Sequence, residues 1–231
     1  MHETPIRQEI IDRVVARRGR LHLFDALDPR RTALVVVDMQ STFCEPGAPA
    51  EVPTSRGIVG AINRLTSVLR PLDVPVIWVL HANTGRAGLS DWEIFFNNIV
   101  ANEVRERTIE SLSPGRQTVW RDLEVANQDI TIFKNRYSAL IPGSSSLERV
   151  LRNFGIDTLL IGGTKTNICC ESTARDAMML DFKVVMVADA CAALSDEEHR
   201  GALENIIQQF GDVMTVDEVV AALRAEPRVR E

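Results

Sequence analysis

Residues 158–177 read TLLIGGTKTNICCESTARDA, and this stretch decides the fold. Residues 158–161 are a short, β-branched apolar run of the kind that forms a buried strand. The pair Gly162-Gly163 lets the backbone turn sharply, and residues 167–180 have the apolar spacing of an amphipathic helix. Because parallel strands are connected through helices, this order of strand, turn and helix predicts a parallel sheet.

Similar apolar runs recur along the chain, separated by longer amphipathic segments. They are continuously apolar rather than alternating, which is typical of strands covered on both faces. Two capping-box spacings, Ser145 with Glu148 and Ser195 with Glu198, mark helix starts between them, and residues 57–70 also have helical spacing. The other runs are residues 33–37, 76–80, 130–133, 184–187 and, more weakly, 213–216.

These elements predict one α/β domain over residues 1–231, with residues 1–31 as an N-terminal arm. The alternation of strands and helices indicates a doubly wound, mostly parallel sheet with helices on both faces. Ligands of such sheets bind outside the carboxyl ends of the strands. Candidate functional residues are therefore sought directly after each predicted strand.

The composition narrows the class of protein. The 231 residues include 26 Lys+Arg and 32 Asp+Glu, which gives a net charge of −6 and disfavours binding to nucleic acid or anionic membranes. No apolar run approaches the roughly 20 residues of a membrane helix, and the polar N-terminus does not resemble a signal peptide. The four cysteines have no disulfide-framework or zinc-ribbon spacing, so a reduced, cytoplasmic protein is expected.

Four chemically active side chains follow predicted strands. Asp38 follows the first, His81 the second, Lys134 the third, and Cys169 the turn after the fourth. Cys169 lies where a loop gives way to a helix, so the positive helix end is expected to favour its thiolate. Cys170 points roughly 100° away on the same helix, towards the sheet, where a free cysteine acts as a small apolar residue.

A thiol nucleophile needs a proton acceptor and a partner that stabilises its charge. Asp38 is the candidate acceptor if burial raises its pKa, and Lys134 is the cation that keeps both groups charged and oriented. His81 is either an alternative base or a histidine satisfied at a strand end. On this view Asp38→Asn slows alkylation of the thiol. The other histidines form no cluster with metal-ligand spacing, so neither a metal nor another cofactor is expected.

Residues 82–129 are long for a single crossover and leave two interpretations open. They form either a crossover helix whose aromatic residues fill the core, or a cap over the strand ends that encloses a small ligand. Residues 45–53 are a second candidate wall or a plain surface loop. The side chains proposed to contact the substrate are Gln40, Phe43, Trp92 and Tyr137.

Three motifs together resemble the isochorismatase-like cysteine hydrolases: ALVVVDMQSTF, FKNRYSAL and GGTKTNICCESTARDA. The resemblance extends from about residue 32 to residue 223. It implies the fold predicted above and a catalytic triad of Asp38, Lys134 and Cys169, and it places Cys170 where valine is usual. It also implies a cis peptide at Thr164–Lys165, with the N–H groups of Lys165 and Cys169 forming an oxyanion hole.

The resemblance also narrows the reaction. The metal motif Asp-x-His of nicotinamidases is missing after the second strand, and Cys169 is present where vinyl-ether-cleaving isochorismatases commonly lack it. The motifs look closest to ureidoacrylate amidohydrolase and related small-amide hydrolases. The expected activity is hydrolysis of a small linear amide, ureido or carbamoyl compound through a thioester. A vinyl ether hydrolase and a catalytically silent ligand-binding relative remain alternatives.

Two further features carry expectations from the same resemblance. A homo-oligomer is expected, as in the family. Lys165 departs from the small residue that is common at its position. Its side chain is expected either to reach an anionic group on the substrate or to point to solvent.

Overall fold

A computed structural model describes residues 2, 6–86, 89–115 and 117–225. The described chain forms a six-stranded sheet in the order β5-β2-β1-β6-β7-β8, and every pairing between neighbouring strands is parallel. A small antiparallel hairpin, β3–β4, lies outside it. The strands are β1 (Thr32–Val37), β2 (Val76–His81), β3 (Gly85–Arg86), β4 (Leu89–Ser90), β5 (Ile130–Lys134), β6 (Thr158–Thr164), β7 (Lys183–Ala192) and β8 (Asp212–Met214).

Helices connect the strands, as the parallel pairings require. A π-helical turn, Thr166–Cys170, precedes α7, and a second one, Ile206–Phe210, follows α8. In the ranges that the structure describes, no helix combines the length and the apolar character needed to cross a membrane. The helices are α1 (Gln8–Arg18), α2 (Ser41–Cys44), α3 (Val59–Leu69), α4 (Glu93–Asn98), α5 (Asn102–Ser111), α6 (Leu147–Asn153), α7 (Glu171–Met179), α8 (Asp196–Asn205) and α9 (Val216–Arg224).

Both faces of the sheet are covered, which confirms the fold predicted from the continuous apolar runs. Along β1, Val35 faces a core that also contains residues of α1, α6, α7 and α8. Its neighbour Leu34 faces a second core with residues of α3 and α9. The segment expected to be an N-terminal arm contains α1, whose Val14 is fully buried, and Arg7 before it pairs with Glu204 of α8.

Helix caps explain where several elements begin, and two expectations need correction. Ser195 caps α8 in a full capping box with Glu198, as predicted. Ser145 does not form a box, because α6 begins after Ser146 and the Ser145 hydroxyl accepts from the Leu147 N–H instead. The last run was expected to be one strand over residues 213–216. The strand β8 ends at residue 214, because Thr215 starts α9 with a capping box of its own.

The strand order reverses between β1 and β6, which is the switch point where doubly wound sheets bind ligands. Gly163 of β6 lies opposite Val37 of β1 in the register and has a φ of +113°. A Cβ added there would lie 2.0 Å from the Val37 carbonyl oxygen. Only glycine therefore permits the close approach of these two strands, which bring their following loops together.

The long segment after β2 forms a cap rather than one crossover helix. It contains the hairpin β3–β4 and the helices α4 and α5. Its buried Phe96 and Leu112 pack with Phe43 and Val52 in a cluster separate from the two sheet cores. The cap and the segment of residues 45–53 thus form two walls next to the strand ends.

We expect Gly163→Ala to destabilise the protein by about 3 kcal/mol or more, because the added methyl meets the Val37 backbone at a φ that disfavours L-residues. Gly60→Ala is the matched control, since Gly60 lies in α3 with open space around its Cα. It should stabilise the helix by about 0.5–1 kcal/mol. Urea unfolding of both variants measures the difference, and equal midpoints would contradict the close-approach argument.

Candidate active site

The side chains of Asp38 and Lys134 form a buried ion pair at the ends of β1 and β5. Asp38 follows β1 with a φ of 55°, a conformation that aspartate tolerates better than most residues. Its Oδ2 accepts a hydrogen bond of 2.8 Å from Lys134 Nζ, and the two side chains are 1% and 0% exposed. The other oxygen, Oδ1, is buried and has no hydrogen-bond partner among the described residues.

Three acceptors surround the Lys134 ammonium. Besides Asp38 Oδ2, they are the Arg136 carbonyl oxygen at 3.0 Å and His81 Nδ1 at 3.2 Å. The His81 Nε2 lies 2.8 Å from the Asn83 side-chain oxygen, so we assign the proton to Nε2 and leave Nδ1 as the acceptor. Burial, and then the charge of Lys134, hold the pKa of His81 well below its usual value. His81 is therefore a neutral ring that helps to position the ammonium.

Cys169 lies in the π-helical turn after β6, and its neighbour Cys170 faces away from it. Cys169 is 5% exposed. Its sulfur, an oxygen of Asp38 and a nitrogen of His81 lie within 4.8 Å of one another. The Cys170 sulfur instead lies 3.8 Å from the Gly162 carbonyl oxygen, next to Cys191. The structure thus separates the two vicinal thiols as their helical spacing predicted.

The electrostatics of this cluster reverse one expectation. Burial raises the pKa of Asp38 against the effect of Lys134, which is the direction that the sequence-based expectation of a proton acceptor assumed. Burial and then the Asp38 charge raise the pKa of the Cys169 thiol to about 12. The expected preference for a thiolate at rest is therefore wrong. Burial lowers the pKa of Lys134, but the charges of Asp38 and Cys169 outweigh it, and the net shift is upward.

Three side chains of the site have the spacing of metal ligands, although His81 is not one of the histidines considered for a metal cluster from the sequence. His81 lies with Asp38 and Cys169 at distances that could place one ligand atom of each around an ion. Carboxylate, imidazole and thiolate are ligands that Zn²⁺ accepts. The Lys134 ammonium, however, already binds Asp38 Oδ2 and His81 Nδ1. A metal ion at this point would have to displace a buried cation.

A cavity of roughly 360 Å³ opens beside the Cys169 sulfur, and it has the size of a small-molecule site. Phe43 and Tyr137, two of the expected substrate contacts, line it together with Lys165 and Cys169. Most of the remaining wall is apolar and comes from the cap and the segment of residues 45–53. These wall residues include Ala50, Phe95, Ile99, Val104 and Leu112.

The other two expected substrate contacts lie behind the wall. Gln40 is fully buried, and its side-chain amide binds the backbone N–H and carbonyl of His81 at 2.7 and 3.0 Å. It therefore connects the ends of β1 and β2. Trp92 stacks on Phe95 at 4.6 Å and on His81 at 5.9 Å, and packs edge-on against Tyr137. It supports the lining residues from outside the cavity.

The peptide bond between Thr164 and Lys165 is cis, as the resemblance implied. The Lys165 carbonyl accepts from the N–H groups of Ile168 and Cys170, at 3.1 and 3.2 Å, which closes the turn around Cys169. The N–H groups of Lys165 and Cys169 remain the candidates for the oxyanion hole.

Sequence reasoning missed the polar residues that connect the cap to the strand ends. Asp91 of the cap accepts from the side-chain amides of Asn83 and Asn135, at 2.7 and 3.1 Å. Its backbone carbonyl accepts from Arg136 at 2.9 Å. Asn83 in turn holds His81. The spacing of His81 and Asn83, two residues apart in an extended segment, was a usable signal because such side chains share one face.

Solved structures of similar shape identify the class of protein. The crystal structure of a cysteine hydrolase from Pseudomonas syringae pv. phaseolicola 1448A is 31% identical, with a TM-score of 0.73 over 85% of this chain and 93% of that one. The fold also matches N-carbamoylsarcosine amidase from Thermoplasma acidophilum, at 24% identity and a TM-score of 0.64 over 81% and 97% of the two chains. With its buried thiol at the sheet's switch point, this chain is an α/β cysteine hydrolase.

The family follows from the sequence comparisons. Residues 32–218 match the isochorismatase domain family. The uncharacterized isochorismatase family protein YecD of Escherichia coli O157:H7 is 31% identical over 204 residues, which cover 85% of this chain and 98% of that protein. The ureidoacrylate amidohydrolase RutB of Methylobacterium radiotolerans is 30% identical over 217 residues, which cover 88% and 83%. This chain belongs to the isochorismatase family.

The pKa directions give a prediction with opposite signs for two variants. Asp38→Asn removes the charge that raises the pKa of Cys169 and leaves Lys134 to stabilise the thiolate. The pKa of Cys169 should fall below about 12, and alkylation by iodoacetamide at a fixed alkaline pH should become faster. Lys134→Met removes the stabilising cation, so alkylation should become slower.

Thiolate absorbance during a pH titration, with peptide mapping of the alkylated cysteine, measures both effects. This expectation replaces the sequence-based one, in which Asp38→Asn slows alkylation. Slower alkylation in both variants would mean that Asp38 acts as a base on the resting thiol rather than as a repelling charge.

We further expect the activity to survive prolonged treatment with EDTA, because the Lys134 ammonium already binds the side chains of two of the three candidate ligands, Asp38 and His81. The measurement is turnover before and after chelation, together with the metal content of the protein. Activity that is lost on chelation and restored by one divalent metal would show that the Asp38, His81 and Cys169 set binds a required ion.

Proposed function

We propose that this protein is a cysteine-dependent amidohydrolase that cleaves a C–N bond of a small linear amide, ureido or carbamoyl compound. The observation that carries the proposal is the placement of Cys169 between a cavity of small-molecule size and the buried Asp38–Lys134 pair. The names of relatives support the same chemistry, since RutB is an amidohydrolase of ureidoacrylate. No metal or cofactor takes part in the proposed reaction.

In the first half of the reaction, the Cys169 sulfur attacks the carbonyl carbon and its proton passes to Asp38. The unpartnered Oδ1 is the oxygen suited to receive it, and burial, which raises the pKa of Asp38, favours the protonated acid. The resulting oxyanion accepts hydrogen bonds from the N–H groups of Lys165 and Cys169. Lys134 stays bonded to Asp38 Oδ2 and keeps the carboxyl group oriented.

In the second half, Asp38 returns the proton to the departing nitrogen. The C–N bond breaks, an amine or ammonia leaves, and the acyl group remains on sulfur as a thioester. A water molecule then attacks the thioester carbonyl and loses its proton to Asp38. The C–S bond breaks, the thiol regains a proton, and the product is an acid or, from a ureido or carbamoyl substrate, a carbamate.

Two other functions remain as alternatives. A vinyl ether hydrolase of the isochorismatase type would act without a thiol nucleophile, and a silent ligand-binding relative would need no reactive group. Neither alternative explains why Cys169 lies beside Asp38 and at the cavity.

We also propose that the protein is a cytoplasmic homo-oligomer, with a small-molecule substrate as its only other partner. The four free cysteines, all buried, are compatible with a reducing compartment.

A screen for ammonia or amine release over small amides, ureides and carbamoyl compounds tests the proposal. Cys169→Ser should reduce turnover to background, because a hydroxyl in this setting is a much weaker nucleophile. Asp38→Asn should reduce it by about 10²–10⁴-fold through loss of the proton carrier. Mass spectrometry of enzyme quenched during turnover should show the acyl group on Cys169.

Cys170→Val is the matched control for the nucleophile. Its side chain packs against the sheet, so a small apolar residue should leave turnover nearly unchanged. An active Cys169→Ser beside an inactive Cys170→Val would overturn the assignment. Cleavage of a vinyl ether, with no amide hydrolysed, would favour the first alternative.

A further inference from the structure

The charge distribution of the cavity is uneven. Of the residues that line it, Lys165 is the one whose side chain has a formal charge near neutral pH. His81 also lines the cavity, but burial holds its pKa well below the usual value, so the ring is neutral. The rest of the wall is apolar, or bears the hydroxyl groups of Thr108 and Tyr137. Lys165 is therefore the one charged residue in a mostly apolar lining.

Lys165 differs from the other two lysines of the chain in forming no ion pair with a described residue. Lys134 pairs with Asp38, and Lys183 pairs with Asp157 at 3.4 Å. Within the part of the chain that the structure describes, no carboxylate forms an ion pair with Lys165.

Two carboxylates on the elements around the cavity are engaged elsewhere. Glu51 binds Arg56 at 2.9 Å, on the segment that forms the second wall. Glu171, at the start of α7, binds Arg175 at 2.6 Å. These two carboxylates are therefore not counter-charges for Lys165, in a chain whose net charge is −6.

We propose that Lys165 is the specificity-determining residue of this site and binds a carboxylate on the substrate. The inference rests on the proposed amidohydrolase function and names its substrate class: small amides or ureides with an apolar body and one carboxylate. Lys165 is half-buried, and an ammonium group without an ion-pair partner at such a position gains free energy from an anion that enters the same cavity. The same residue would thus serve the oxyanion with its backbone N–H and the distal carboxylate with its side chain.

A carboxylate suits this site better than a phosphate group. A phosphate has close to two charges and three strong acceptor oxygens, and it is usually bound by several donors. The charged lining of this cavity offers one ammonium, and its apolar walls from the cap favour a hydrocarbon body. The substrate's amide end then lies at Cys169, and its apolar part lies against residues such as Phe95 and Leu112.

Two alkylating probes of similar size test the subsite without any substrate. Iodoacetate is an anion and iodoacetamide is neutral, and both react with the Cys169 thiolate. In Lys165→Met, the ratio of their rates at Cys169 should fall about fivefold or more, because one attractive charge is lost. Lys165→Arg should retain most of the ratio. Lys134 attracts the anion in every variant, so the change in the ratio reports Lys165 alone.

Lys183→Met is the matched control, since it removes the same charge from a lysine paired with Asp157 outside the cavity. Its ratio should equal that of the unaltered protein. Lys165→Gln serves as a second variant, and circular dichroism establishes that each variant is folded. An unchanged ratio in folded Lys165→Met and Lys165→Gln would overturn the proposal and place the side chain in solvent.

Kinetics on pairs of amides that differ only in a carboxylate or its neutral carboxamide separate this proposal from the proposed function. The carboxylate member should have the higher kcat/KM, and Lys165→Met should reduce that preference about fivefold or more. Cys169-dependent hydrolysis of both members without preference would overturn the subsite and leave the amidohydrolase intact. Hydrolysis of neither member of any pair would overturn the proposed function, while the alkylation ratio would still decide the subsite.

Discussion

The buried ion pair between Asp38 and Lys134 is the interaction on which the site depends. Taking either charge out of water alone is costly, and the cost is offset only when a partner and further hydrogen bonds are in place. Lys134 supplies three donors, and the carboxylate of Asp38, the ring of His81 and the carbonyl of Arg136 accept all three. The pair thus connects the ends of β1, β2 and β5 and fixes the position of the carboxylate relative to the sulfur.

The same burial determines where the proton of the site is held. A carboxylate close to a thiol disfavours the thiolate, and the low polarity of the surroundings disfavours it further, so the pKa of Cys169 rises to about 12. Lys134 acts in the opposite direction on both groups. The proton therefore stays on sulfur near neutral pH, and a neutral thiol is better protected against adventitious oxidation than a thiolate.

The sequence predicted which residues follow the strands better than it predicted how the cap packs over them. Asp38, His81, Lys134 and Cys169 could be placed together because parallel strands deliver the residues that follow them to one edge of the sheet. The direction of Gln40, the position of Trp92 behind the wall and the contribution of Phe95 depend on how the cap folds, and no periodic pattern encodes that packing. The pKa of Cys169 was misjudged for a related reason, since the helix end was visible in the sequence but the burial was not.

The bonds of Asp91 to Asn83, Asn135 and Arg136 have a consequence for how relatives of this protein can diverge. They attach the cap at its hairpin end, beside the His81 ring that accepts from Lys134. Side chains of α4, α5 and the segment between them, such as Ile99 and Val104, line the cavity but have no hydrogen bond to that network. Substitutions there can change the shape of the cavity while the hydrogen bonds that hold His81 and Lys134 stay in place. Selection can therefore act on substrate size and on chemistry as separate traits.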